Sequence, residues 1–222
     1  MSLAATTAAA IDRLVPRRGP PIVVDVDEVV LAFVRPLADF LADNGHRLIA
    51  RSFALTGNVT RIGSDRAIAG EEVKRLIDGF FAARAGDQPA IAGAVAALGR
   101  LAEIGDVVLL SNVPAIHAER RARRLAELGI TAPFVANDGP KGPALARLAA
   151  RWAAGGEALA PFFVDDGPTN LVSARDAVAG VRLVHFVGDA EWFALAPDVP
   201  GTWLKSRDWS EVAARIAGVI GA

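Results

Sequence analysis

Apolar and polar positions along the chain change period twice. Ile22, Val23 and Val24 form an unbroken apolar, β-branched run that leads into Asp25-Val26-Asp27-Glu28. Such a run reads as a strand buried on both faces of a parallel sheet. The spacing then becomes helical. Val30, Phe33, Val34, Leu37, Phe40 and Leu41 share one stripe, Pro36 suits a first turn or a kink, and Asn44-Gly45 is the stop. Val73, Leu76, Ile77, Phe80 and Phe81 form a second stripe within 71–81. Residues 51–59 between them show no period, and Gly86-Asp87-Gln88-Pro89 closes the segment. Beyond Pro89, helices expected over 90–101, 114–128, 142–152, 169–179 and 209–220 alternate with strands expected over 106–110, 132–135, 161–164 and 181–186. Gly129 and Gly180 end two of the helices, and Ser206 or Asp208 caps the last. The alternation predicts an α/β fold, a doubly wound parallel sheet with helices on both faces and right-handed crossovers. Residues 19–30 and 89–222 would form it, with 31–88 as a small, mostly helical insert.

Each predicted strand ends in groups that bear chemistry. Side chains alternate along a strand, so Asp25 and Asp27 point the same way. Two acids there repel each other and are costly to bury unpaired. A hard divalent cation such as Mg²⁺ relieves that cost. The acidic strand end of a nucleotide hydrolase would need an upstream GxxxxGK[ST] loop, and residues 1–21 contain none. A calcium loop would need Gly and Glu where Val30 and Pro36 stand. A merely solvated strand end is the remaining alternative. Ser111 and Asn112 follow the strand at 106–110, with Pro114 opening a helix. Asp165 and Asp166 follow the strand at 161–164, with Asn170 four residues on. Lys141 stands in Asn137-Asp138-Gly139-Pro140-Lys141-Gly142, just before a helix. Open α/β sheets bind ligands beyond the carboxyl ends of their strands.

In this order the four sets resemble the motifs of the haloacid dehalogenase superfamily, over Ile22 to about Phe186. The resemblance implies a Rossmann-like core with 31–88 as a helical cap over the site. It implies Asp25 as a nucleophile that forms an aspartyl-phosphate, and Asp27 as the general acid and base. It assigns Mg²⁺ to Asp25, the Asp27 carbonyl and Asp166. Ser111 and the Asn112 backbone would hold phosphoryl oxygens, Lys141 would offset charge, and Asp165 would support Asp166 or Lys141. Glu28 and Val29 stand where the family commonly has Gly and Thr, and Gly167-Pro168 is less usual. The function implied is a magnesium-dependent phosphatase acting on a small phosphomonoester. A phosphomutase or phosphotransferase using the same intermediate is the alternative, as is a weakly active binding protein that kept the fold. Dehalogenation is disfavoured because it does not need Asp27. Within 51–58, Arg51 and Asn58 are candidate contacts to the leaving group, because loops on a rigid scaffold concentrate binding residues. Their alternative is an ordinary turn role.

Composition narrows the classes. The 222 residues are 52% apolar with a net charge of −1. One sizeable core is within reach, and nothing electrostatic favours nucleic acid or an anionic membrane as partner. The partner expected is a small phosphorylated metabolite; oligomeric state is left open. There is no Cys, which removes disulfides, thiolate catalysis and Cys-type zinc sites. His46, His117 and His185 are too scattered for a local metal motif. No apolar run spans a bilayer and Met1–Ala10 lacks the basic start of a signal peptide, so a cytoplasmic location is expected. Arg17-Arg18-Gly19-Pro20-Pro21 is a breaker-rich lead-in to the first strand. Arg120, Arg121, Arg123, Arg124 and His117 read as a solvated helix face, and Trp192, Phe193, Trp203 and Trp209 as core or cover.

Overall fold

The computed structural model describes residues 3–17, 19–154 and 160–221; Arg18 of the lead-in lies outside them. Eight strands lie among the described residues: β1 (Pro21–Val24), β2 (His46–Leu48), β3 (Val59–Arg61), β4 (Asp106–Ser111), β5 (Phe134–Ala136), β6 (Phe162–Asp165), β7 (Arg182–Phe186) and β8 (Thr202–Ser206). Six of them form one parallel sheet in the order β5-β4-β1-β6-β7-β8. The chain moves outward from β1 through β4 and β5, then crosses to the other side and moves outward through β6, β7 and β8. Strand order therefore reverses at β1, and a crevice opens beyond its carboxyl end.

Alternation along β1 builds two apolar layers. Ile22 and Val24 pack with Val107, Leu109, Phe162 and Val164 against α4 (Ala94–Ile104), α5 (Ala118–Glu127) and α9 (Trp209–Ile220). Val23 packs with Val108, Leu110 and Phe163 against α1 (Ala5–Asp12), α6 (Gly142–Ala153) and α7 (Pro168–Ala177). All four residues of β1 are buried, which is why it reads as an uninterrupted apolar run rather than an alternating one.

Residues 31–88 depart from the mostly helical expectation by carrying a hairpin beside their two helices. They hold α2 (Val34–Asp43), the antiparallel β2–β3 hairpin and α3 (Gly70–Arg84). Leu37, Leu41, Val59, Val73, Phe80 and Phe81 form the segment's own apolar centre. Three-residue strands are too short to display a period of two, so the hairpin leaves no pattern in the sequence. α2 starts at Val34 rather than Val30, because Val26 to Leu31 close a tight turn through bonds from Val30 and Leu31 to the Val26 carbonyl.

Three further elements lack a periodic signal. α1 buries only Thr7 and Ile11, so its Ala-rich face carries no stripe. α8 (Ala190–Leu195) is six residues long and is capped by Asp189, which accepts from Glu191 and Trp192. β8 is a half-exposed edge strand whose register with β7 slips at Leu183/Val184. No helix among the described residues is long and apolar enough to cross a membrane.

Candidate active site

Asp25 follows the last residue of β1, and its N–H donates to Val164 of β6 at 2.8 Å. β6 ends in Asp165, so the two carboxylates share one rim of the sheet. Lys141 bridges them. Its Nζ lies 2.5 Å from Asp25 Oδ1 and 2.7 Å from Asp165 Oδ2, and the ammonium is buried. Lys141 caps α6, and the next residue, Gly142, sits against α7. The Gly142 N–H donates to Ser173 Oγ at 3.0 Å, and a β-carbon there would collide with the Ser173 carbonyl. This close approach of the helices sets where the lysine stem starts.

Asp165 is held on both oxygens. Oδ1 accepts from the Gly167 N–H at 2.8 Å and from Asn170 Nδ2 at 3.1 Å, while Oδ2 takes Lys141. Asp166 differs: its carboxylate has no partner among the described residues. Its backbone carbonyl accepts from His185 Nε2 at 3.0 Å, which places the proton of a neutral ring on Nε2. Burial lowers the His185 pKa and favours that neutral ring. His46 lies instead within 31–88, its Nε2 3.5 Å from Glu72.

Asp25, Asp165 and Asp166 each bring a carboxylate oxygen within 4.8 Å of the others, against the single ammonium of Lys141. Burial, then the repulsion of Asp165 and Asp27 against the pull of Lys141, pushes Asp25 up to about 7. Burial and the charges of Asp25 and Asp165 hold Asp166 well above the ordinary carboxylate range. Burial opposes the charge on Lys141, but Asp165 and Asp25 outweigh it and raise its pKa. Three acids around one cation, one of them unpartnered, fit a hard divalent ion.

Asp27 is gripped from the other side. Its Oδ1 accepts from Arg121 Nη2 at 2.9 Å and from Gln88 Nε2 at 3.1 Å, and Arg121 also donates to Gln88 Oε1 at 2.7 Å. Arg121 is fully buried, which corrects its reading as part of a solvated face. Arg120 and Arg124 reach the same stretch, donating to the carbonyls of Ala82 and Gln88. Neither Gln88 nor Arg121 was singled out in the sequence. Arg121 stands four residues before buried Leu125, so the inner stripe of α5 was the available signal.

Ser111 ends β4, next to β1. It is buried, and its Oγ accepts from the Val113 N–H at 3.2 Å, which leaves the hydroxyl proton free to donate elsewhere. The Asn112 side chain turns to the neighbouring loop, through Gly139 O and Asn137 Nδ2.

Glu28 adopts φ +59°, the left-handed conformation that glycine takes readily. Its carboxylate accepts from Phe33 N at 3.0 Å, Val34 N at 2.8 Å and Asp189 N at 2.7 Å. It thus ties the β1 turn to the start of α2 and to the loop before α8. It makes no contact with the cluster's ammonium, and its role here is a staple.

The Arg51–Asn58 loop shows a correction. Asn58 is buried inside its own loop: Nδ2 donates to Ser52 O and Ala54 O at 2.7 Å each, and Oδ1 accepts from Arg51 N. Both polar atoms of the Asn58 side chain are thus engaged within the loop. The exposed Arg51 guanidinium lies by the Asp65 carbonyl at 3.5 Å. The loop does reach the site, but through Phe53, Ala54 and Leu55, which line a cavity with Glu28 and Asp166.

Solved structures share this arrangement of chain. A magnesium-bound protein from Bacillus subtilis, YfnB, described as a HAD-hydrolase, superposes with a TM-score of 0.60 at 15% identity, over 93% of this chain and 100% of that one. The fold is that of the haloacid dehalogenase-like hydrolases. A HAD family hydrolase from Deinococcus radiodurans with bound phosphate and sodium gives 0.58 at 18% identity, over 90% and 96%. A predicted phosphoglycolate phosphatase from Haemophilus somnus gives 0.57 at 13%, over 88% and 96%. No family model matches the chain, and no curated protein matches it in sequence. In this haloacid dehalogenase-like fold the sheet rim carrying Asp25, Lys141, Asp165 and Asp166 lies at the strand-order switch, where such sheets hold ligands.

Proposed function

We propose that the protein is a magnesium-dependent phosphatase that hydrolyses a small phosphomonoester through an aspartyl-phosphate on Asp25. One observation carries the reading: Lys141 joins Asp25 to Asp165 while Asp166 stands beside them without a partner. An anionic phosphoryl group approaches a carboxylate only where positive charge offsets both. Lys141 occupies Oδ1 of Asp25, which leaves Oδ2 to attack phosphorus. The Asp25–phosphorus bond forms as the bond to the alcohol oxygen breaks. Asp27 supplies the proton that the leaving alcohol takes up. It then accepts a proton from water as that water attacks the intermediate, releasing phosphate and restoring Asp25. Ser111 donates its hydroxyl proton to a phosphoryl oxygen, its Oγ being fixed by the Val113 N–H. Asp165 orients Lys141. The Asp25 and Asp166 carboxylates and the Asp27 carbonyl would hold Mg²⁺. When bound, the ion neutralises charge on the phosphoryl oxygens. Residues 31–88 serve as the cap, which keeps bulk solvent from the reacting groups and leaves the attacking water to Asp27.

Hydrolysis of p-nitrophenyl phosphate in Mg²⁺ tests the reading. Turnover is expected, with loss on chelation and none in Asp25→Asn. Rapid quenching should trap label from phosphate on the parent protein and not on that variant. Activity that survives thorough chelation, or survives Asp25→Asn, overturns the mechanism. Transfer to a second alcohol would appear as a phosphorylated product in place of free phosphate.

A further inference from the structure

A cavity of about 160 Å³ opens beside Asp166, in the space between the sheet rim and the 51–58 loop. Phe33, Phe53, Leu55, Val187 and Trp192 supply its apolar walls. The polar side-chain groups in its lining are the Glu28 and Asp166 carboxylates and the Trp192 indole N–H. Both oxygens of Glu28 are taken by the three backbone N–H groups of Phe33, Val34 and Asp189. Asp166 belongs to the carboxylate cluster with Asp25, so the cavity meets the phosphoryl site. The Trp192 indole N–H is the one side-chain group in the lining able to give a hydrogen to a ligand, and none carries positive charge. Arg35 and Arg51 are engaged outside the lining, with Asp189 and with the Asp65 carbonyl, and Lys141 is engaged with Asp25 and Asp165.

From this lining we infer that the substrate is a phosphomonoester of a compact, uncharged, apolar alcohol, with one aromatic ring or a branched alkyl group of about five or six carbons. The inference rests on the phosphatase reading above and names its substrate class. The size is suited to such a group, since a cavity of about 150 Å³ with an apolar lining accommodates benzene. Polarity excludes the common alternatives. A sugar or polyol would exchange water for walls that offer its several hydroxyls little beyond Asp166 and the Trp192 N–H, at about tenfold in affinity or more for each hydroxyl left stranded. A second carboxylate on the substrate would meet Glu28 and Asp166 with no Arg or Lys in the lining to receive it. The walls are also preformed. Asn58 fixes the loop from within, and the Phe53 ring packs edge-on against Trp192 at 5.8 Å and His185 at 6.1 Å between centroids.

Two measurements test this. Calorimetry in Mg²⁺ compares phenylphosphonate with methylphosphonate, which reads the cavity without turnover. Phenylphosphonate is expected to bind about a hundredfold more tightly, the value of burying a phenyl ring. Leu55→Asn should cut that advantage tenfold or more, with folding verified by melting. Equal affinities in the parent protein overturn the inference. Turnover then compares phenyl and isopentyl phosphate with glycerol 2-phosphate, glucose 6-phosphate and phosphoglycolate. A kcat/KM advantage of at least a hundredfold for the apolar esters is expected. Acetyl phosphate has too small a leaving group to fill the cavity and reports the phosphoryl chemistry alone. Turnover of acetyl phosphate with no preference among the larger esters would sink the substrate class and leave the phosphatase reading standing. No turnover of any ester, with the phenyl preference in binding intact, would sink the phosphatase reading instead.

Discussion

Arg121 shows how a single residue can carry more of a site than its surroundings in the sequence announce. It lies in a run with Arg120, Arg123 and Arg124, and composition alone cannot say which of four arginines turns inward. Register can: Arg121 and Leu125 are four apart on the buried side of α5. Asp25, Ser111, Lys141, Asp165 and Asp166 were legible because each follows a strand or opens a helix, where the backbone itself fixes the position. Gln88 was not, because a polar residue before Pro89 reads as a turn. Arg121 is expected to act through Asp27 by holding it in place. Arg121→Met should lower the rate with isopentyl phosphate at least tenfold more than the rate with p-nitrophenyl phosphate, since a good leaving group needs less protonation. Steady-state rates on the two esters check this; equal losses would reduce Arg121 to a structural part. Lys141→Met strands three carboxylates without their cation. A loss of about 3 kcal/mol or more in metal-free buffer is expected from breaking a buried pair on one side, read by urea denaturation.

At the scale of elements, the site depends on two tight junctions. One is the turn after β1. Glu28 there holds a conformation that costs a non-glycine residue about 1 kcal/mol or more. Its carboxylate offsets that by accepting three N–H groups, each charged bond contributing about 1.5 kcal/mol or more. Glu28→Gly should therefore destabilise, by about 2 kcal/mol, although the backbone suits glycine better; Glu28→Gln should fall between. Urea midpoints rank the three proteins. The second junction is α6 against α7, where Gly142→Ala should push the helices apart and move Lys141. A fall in activity is expected, with Asp25→Asn as the floor. The long helices and buried strands were readable from their stripes. The hairpin β2–β3, α8 and the edge strand β8 were not, since three to six residues are too few to impose a period, and β2, α8 and β8 are half-exposed as well.

The whole molecule couples its charge cluster to pH and to metal. Asp25 binds its proton more tightly in the fold, up to about 7, than at its ordinary value of 3.8. The unfolded chain therefore gives up that proton first as pH rises. Without metal, this group subtracts stability from about pH 4 to about pH 7 and no more above that, and Asp166 acts in the same direction. On the function proposed, Mg²⁺ would compete with those protons. Its affinity should climb about tenfold per pH unit for each proton displaced and flatten once Asp25 is ionised. Titration calorimetry in buffers of different ionisation enthalpy would count the protons; an affinity independent of pH between 5 and 7 would contradict the cluster. The parallel architecture was legible as a whole because alternation of buried strands and helices spans the chain beyond Pro89. The order of its strands was not, since periodicity says nothing about neighbours. That order has a consequence for biosynthesis. β1 is an early strand made of Pro21-Ile22-Val23-Val24, yet its partners are Val107 and Phe162, about 85 and about 140 residues later. At about 5–20 residues per second, a ribosome takes about 7 seconds or more to deliver the second partner. Until then a sticky, fully apolar ribbon has both edges open, so the nascent chain is most exposed to aggregation, and most in need of a chaperone, before its chemistry exists at all.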